Sequence, residues 1–192
     1  MYSIIVCLHA QIERTSLALH RLVFLIFLRP FLGHCSSNSF ILPPWKISSP
    51  HLIRIHGNVK IDKYSWIKVQ SSDLLVPSIN ICSGASIGRF VHIICSNSIH
   101  IGSNVMINER VYISDATHDI ANPSLAPLNS SVLSTGKIFI DEGAWVGEGS
   151  YIYGNVRVGR RAVIGANSVV KTDIPDFEVW AGSPARKLYS IK

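Results

Sequence analysis

A chain of 192 residues, 47% apolar and only 16% charged, can build one sizeable core plus an appendage and is too apolar for a disordered polymer. Its formal charge of +6 favours anionic partners, but no nucleic-acid motif accompanies the charge, so nucleic acid is the weaker reading and no nucleic-acid partner is expected. Four cysteines, Cys7, Cys35, Cys82 and Cys95, lack CxxC spacing, which argues against a zinc site or a disulfide framework and favours a reducing cytoplasm.

The first element in chain order is an apolar run from Leu22 to Leu28, LVFLIFL, with His20 and Arg21 before it and Arg29-Pro30 after. Seven residues are too few to span a bilayer, and no clear small-residue cleavage site accompanies them. Residues 1–45 are expected to form a helical or irregular appendage, packed on the domain or lying at a membrane surface.

From there a six-residue rhythm takes over. Ile55, Ile61 and Ile67 open it, an interruption follows at about 69–80, and Ile81, Ile87, Ile93 and Ile99 resume it. The phase slips by two to Ile101, Ile107 and Ile113. After a second interruption at about 114–137, the run Ile140, Val146, Ile152, Val158, Ile164, Val170 is unbroken. An α-helix would sweep every sixth residue around its cylinder, and a flat strand buries every second one. A period of six fits a triangular coil whose aliphatic residues stack inward, with small residues such as Gly147, Gly159 and Gly165 at the corners. The expected organisation is an all-β parallel β-helix over 46–178 with the loop 114–137 inserted, and a tail, 179–192, packed on the last coils.

The second interruption is polar and holds a single histidine, His118, in Asp115-Ala116-Thr117-His118. Long excursions from a regular solenoid are often functional. Toward the C-terminus, Tyr151 to Lys192 carries seven basic residues against three acidic ones, a balance suited to a phosphate-bearing small molecule.

These segments resemble the hexapeptide-repeat acyltransferases, especially the branch that acetylates sugars of bacterial surface polysaccharides. The pieces that carry the likeness are VYISDATHDI (111–120), EGAWVGEGSYIYGNVRVG (142–159) and AVIGANSVVKTDIPDFEVWAGSPARKL (162–188). The resemblance implies a left-handed coil, a homotrimer with sites between subunits, acetyl-CoA as co-substrate with no metal, and a sugar or glycan acceptor. It implies an O-acetyltransferase in which His118 removes the proton of the attacking hydroxyl and returns it to the departing thiolate. Asp115 is the favoured partner to orient His118, with Asp119 as the alternative. Positions matching the family's cofactor contacts are Glu148, Ala166, Lys171, Thr172 and Arg186, with Trp145 as a candidate wall of the acyl pocket. A pair usually read Thr-Lys in relatives stands here as Lys171-Thr172, and Glu148 occupies a position often held by a small residue. Where relatives acting on small sugars carry an Asn-rich strand, this chain reads Phe90-Val91-His92-Ile93-Ile94. That favours a glycan or lipid-linked acceptor and makes His92 a candidate acceptor contact.

Competing readings are a γ-type carbonic-anhydrase-like metal protein, suggested by the spacing of His51 and His56, and a non-catalytic solenoid. A relay through Cys82 or Cys95 competes with simple packing of small buried residues.

Overall fold

The computed structural model describes residues 2–70 and 76–192, with side chains from residue 15 onward. The six-residue period is realised as a left-handed parallel β-helix with three faces. The first face stacks His34–Cys35, Ile53–Ile55, Ser78–Ile81, Ser98–Ile101, Lys137–Ile140 and Val156–Val158. The second stacks Phe40–Ile41, Lys60–Ile61, Ser86–Ile87, Met106–Ile107, Trp145–Val146 and Val163–Ile164. The third stacks Lys46–Ser48, Trp66–Val69, His92–Cys95, Tyr112–Ser114, Tyr151–Tyr153 and Val169–Val170. The chain visits the faces in rotation, and neighbouring strands within each of these stacks are parallel.

The inward positions form continuous aliphatic rows. On the first face, Ile55, Ile81, Ile101, Ile140 and Val158 lie in register and are at most 1% exposed. Each fully buried side chain of this kind contributes about 1.5–3 kcal/mol, so the rows, more than any local propensity, hold strands of two to four residues together. The phase slip between Ile99 and Ile101 has a simple cause. Both residues face inward on one strand, because the turn from Ile81 to Ile101 is longer than the turn from Ile140 to Val158.

Corners need left-handed backbone at fixed places. Between the first and second faces these are Asn58, Gly84, Asn104, Gly143 and Arg161; between the second and third they are Tyr64, Phe90, Arg110, Gly149 and Asn167. Asn and Gly tolerate that conformation best. Gly147 answers a different need, because a Cβ there would lie 2.6 Å from the backbone nitrogen of Ala166 on the next turn.

The coil starts earlier than position 46. His34–Cys35 pairs in parallel with Arg54 and Ile55, and Phe40–Ile41 with Lys60 and Ile61, so two faces of the first turn precede the expected boundary. Cys35, Ile41, Ile47 and Ile53 keep the six-residue spacing, but a cysteine in the first rung and Pro43-Pro44 in the corner disguise it. Ahead of this turn, helix α1 (Tyr2–Phe27) closes the end of the coil. Phe24 is fully buried, edge-on to Trp45 at 6.4 Å, and the Arg21 guanidinium lies 4.3 Å from the centre of the Phe40 ring. Among the described residues no helix is long and apolar enough to cross a membrane. The interruption expected at 69–80 falls partly outside the described residues. At the other end, Glu178–Gly182 continues the second face in parallel, and Ala185–Ser190 folds back on it as an antiparallel strand.

Candidate functional site

The excursion after Ser114 is built as a hairpin. Ala116–His118 pairs antiparallel with Val132–Ser134, placing His118 opposite Val132. The root is closed by the Thr135 N–H donating to the Asp115 carbonyl at 2.7 Å. His118 is exposed, on one wall of a cavity of about 330 Å³. The facing wall is the outer side of the third face, where Lys68, Ile94, Tyr112 and Ser114 line the groove. One histidine, open to solvent above a groove of this size, is the arrangement a general base needs: an acceptor hydroxyl can reach it and be held there.

Asp115 does something other than orient His118. Its carboxylate is fully buried and accepts three backbone N–H groups, from Ser96 at 2.5 Å, Asn97 at 3.0 Å and Ser98 at 2.8 Å. The side chain points into the preceding turn, and its hydrogen-bond partners do not include the imidazole. The physical reason is the corner: the turn at 96–98 leaves successive N–H donors facing inward, and a carboxylate can accept them all. Burial pushes the Asp115 carboxyl above its ordinary range, and the three N–H donors pull it back. Asp119, the alternative, accepts the Ala121 N–H at 2.8 Å and so caps its own turn.

The positions expected to contact the cofactor fall in more than one place. Trp145 is exposed on the second face, its indole N–H donating to Asn108 Oδ1 at 3.3 Å. Glu148 and Ala166 stack at the corner between the second and third faces, and Glu148 forms an ion pair with Arg110. Lys171 and Thr172 follow the last strand of the third face, on the side from which the His118 hairpin springs, while Arg186 lies on the terminal hairpin. All are exposed. The third face separates the Glu148 corner from the Lys171 corner, so one chain does not gather these residues into one pocket.

His92 sits half-buried on the third face, between Trp66 (ring centres 5.3 Å apart) and Tyr112 (6.4 Å). Sequence reasoning missed Lys68 and Tyr112, the groove's facing wall; the signal was available as the outward positions flanking the inward Ile67 and Ile113. His56, half of the metal reading, pairs its Nε2 with Asn80 Oδ1 at 2.9 Å. Among the described residues, no three His, Cys, Asp or Glu side chains are grouped to hold a metal ion. Cys95 is fully buried, and burial pushes its thiol up to about 12, which leaves almost no thiolate to act as a nucleophile.

Residues 137–172 match the family model described as bacterial transferase hexapeptide (six repeats). Over that segment the chain resembles the hexapeptide-repeat transferases. Proteins similar to it include the galactoside O-acetyltransferase of Lactococcus lactis subsp. lactis, 38% identical over 86 residues, which are 45% of this chain and 40% of that protein. The serine acetyltransferase of Buchnera aphidicola subsp. Schizaphis graminum is 32% identical over 127 residues, 65% of this chain and 45% of that one. The chain thus spans about half the length, or less, of these curated relatives. In three dimensions it is similar to AntD, an N-acyltransferase from Bacillus cereus crystallised with dTDP-4-amino-4,6-dideoxyglucose and coenzyme A, with a TM-score of 0.73 and 23% identity over 85% of this chain and 86% of that one. At that identity the likeness speaks for the hexapeptide-repeat coil alone.

Proposed function

We propose that this chain is an O-acetyltransferase that moves an acetyl group from acetyl-CoA to a hydroxyl of a saccharide, within a glycan or a surface-polysaccharide precursor. The observation that carries the reading is His118, exposed on a hairpin over a groove whose other wall is the polar, partly aromatic outer side of a sheet face. The match of residues 137–172 to the hexapeptide-repeat transferase model and the likeness to acetyltransferases of a sugar and of serine support acetyl transfer to oxygen.

In this reading the neutral imidazole of His118 accepts the proton of the acceptor hydroxyl as its oxygen bonds to the thioester carbonyl carbon. The tetrahedral intermediate collapses by breaking the C–S bond, and the imidazolium returns the proton to the coenzyme A thiolate. No acyl-enzyme forms, in keeping with a buried Cys95. Lys171 and Arg186 hold phosphate groups of the coenzyme, Ala166 lets the thin pantetheine arm approach the backbone, and Thr172 and the backbone at Glu148 line its path. Because those positions lie at separate corners of one chain, we infer a homotrimer in which neighbouring subunits complete each site. The setting is the cytoplasm, with helix α1 as the element that would reach a membrane surface.

The reaction is tested by incubating the full chain with radiolabelled acetyl-CoA and a panel of oligosaccharides, then looking for alkali-labile label on the saccharide. Label on an oligosaccharide is the expected result. Label confined to serine or to amino sugars would replace the saccharide hydroxyl with another acceptor.

A further inference from the structure

The outer side of the third face differs in chemistry from the rest of the coil. Turn by turn its outward positions in register are Lys46, Trp66, His92, Tyr112 and Tyr151. An inward-stacked coil needs only solvated side chains there, so a strip of rings is not a requirement of the fold. A second cavity, of about 310 Å³, opens on this strip among Trp45, Lys46, Tyr64, Trp66 and His92. Its lining residue His92 packs edge-on to Tyr112, which lines the His118 groove, with ring centres 6.4 Å apart.

The charge on this face is one-sided. Its strands contain no Asp or Glu. Among the described residues neither Lys46 nor Lys68 has a carboxylate partner, whereas Arg89, Arg110, Arg157 and Arg160 are all paired with acidic side chains at the corners and on the first face. Lys46 instead lies 4.3 Å from the centre of the Trp66 ring, and Lys68 is half-buried in the His118 groove. Two ammonium groups without a carboxylate partner among the described residues, beside half-buried rings, suit a ligand with apolar C–H surfaces and a negative charge.

We propose that the cavity around Trp66 is a saccharide subsite and that the acceptor is an anionic glycan at least two sugars long. One unit reacts beside His118, and its neighbour, with a carboxylate or a phosphate, rests on the Trp66 strip between Lys46 and Lys68. This rests on the acetyltransferase reading above. The span from Trp66 to Tyr112 is two coil spacings, roughly 10 Å, which one sugar ring does not fill.

Binding, measured without turnover, tests the subsite separately from the chemistry. Tryptophan fluorescence of the full-length protein is followed during titration with digalacturonate, with lactose 1-phosphate and with uncharged cellobiose. The anionic probes should bind about tenfold tighter than cellobiose, and the tighter of the two identifies carboxylate or phosphate as the charge read. Lys68→Met and Lys46→Met should bring the anionic probes down toward cellobiose, and Trp66→Ala should weaken all three. Equal affinity for charged and uncharged probes, or no binding of any, overturns the proposal. So does a Trp66→Ala chain that changes its assembly mass and not its saccharide affinity, which would make the strip a contact between copies. Failure of the acetyltransferase reading would instead show as anionic-saccharide binding without acetyl transfer.

Discussion

At Asp115 a carboxylate one residue past the coil strand does its work on the backbone. Three N–H groups at 96–98 converge on it, and its own carbonyl closes the base of the hairpin that presents His118. Asp115→Asn keeps the size but turns an amide NH₂ toward donors, so it should cost about 1–3 kcal/mol in unfolding measurements. It should also lower turnover by loosening the hairpin root. Because burial raises the folded-state pKa of Asp115, the folded protein keeps that proton to higher pH than the unfolded chain does. The group's contribution to stability is therefore greatest below the ordinary Asp value of about 3.9 and falls as pH rises through the raised one. Chemical denaturation of wild type and Asp115→Asn across that window should show the gap between them narrowing with pH; a widening gap would mean that the carboxylate is the favoured buried form. Cys95 offers a second check. With its thiol held near 12, it should resist alkylation in the native protein and react only after denaturation, as peptide mass mapping would show. The motif around His118 was legible in the sequence. The direction of the Asp115 side chain was not, because it depends on N–H groups about twenty positions away on the previous turn.

The hairpin and the corners are separable devices. On the next turn the corner between the third and first faces closes with two residues, Gly154 and Asn155. Replacing residues 116–136 by a single asparagine gives the same corner length and keeps Asp115. The shortened chain should retain the circular dichroism and cooperative melting of the coil while losing acetyl transfer; a chain that unfolds would show that the excursion is part of the core. Gly147 is the opposite case. Gly147→Ala puts a methyl 2.6 Å from the next turn's backbone and should lower the melting temperature although no functional group is lost. Periodicity exposed the inner rows because each strand repeats one inward isoleucine or valine. The first turn escaped because Cys35 and Pro43-Pro44 break the pattern in composition while the geometry continues, and the pairing of 116–118 with 132–134 has no six-residue signature to read.

For the molecule as a whole, the proposed coenzyme positions are divided within one chain, with Glu148 and Ala166 at one corner and Lys171 at another. A trimer of about 64 kDa, three times the 21.2 kDa chain, is the expected species in sedimentation equilibrium, and a 21 kDa monomer that is fully active would contradict the shared-site reading. Lys171→Ala and Arg186→Ala should each raise KM for acetyl-CoA by about tenfold with little change in kcat, the pattern of a lost phosphate contact. Assembly and substrate chemistry were the least legible features, since both depend on surfaces that no internal repeat constrains. His118 is the residue on which the proposed acetyl transfer depends. In a preparation whose melting temperature and coenzyme A affinity match the wild type, His118→Ala should lose about 10²–10⁴-fold in acceptor-dependent release of coenzyme A thiol. Turnover that survives the substitution would contradict that dependence.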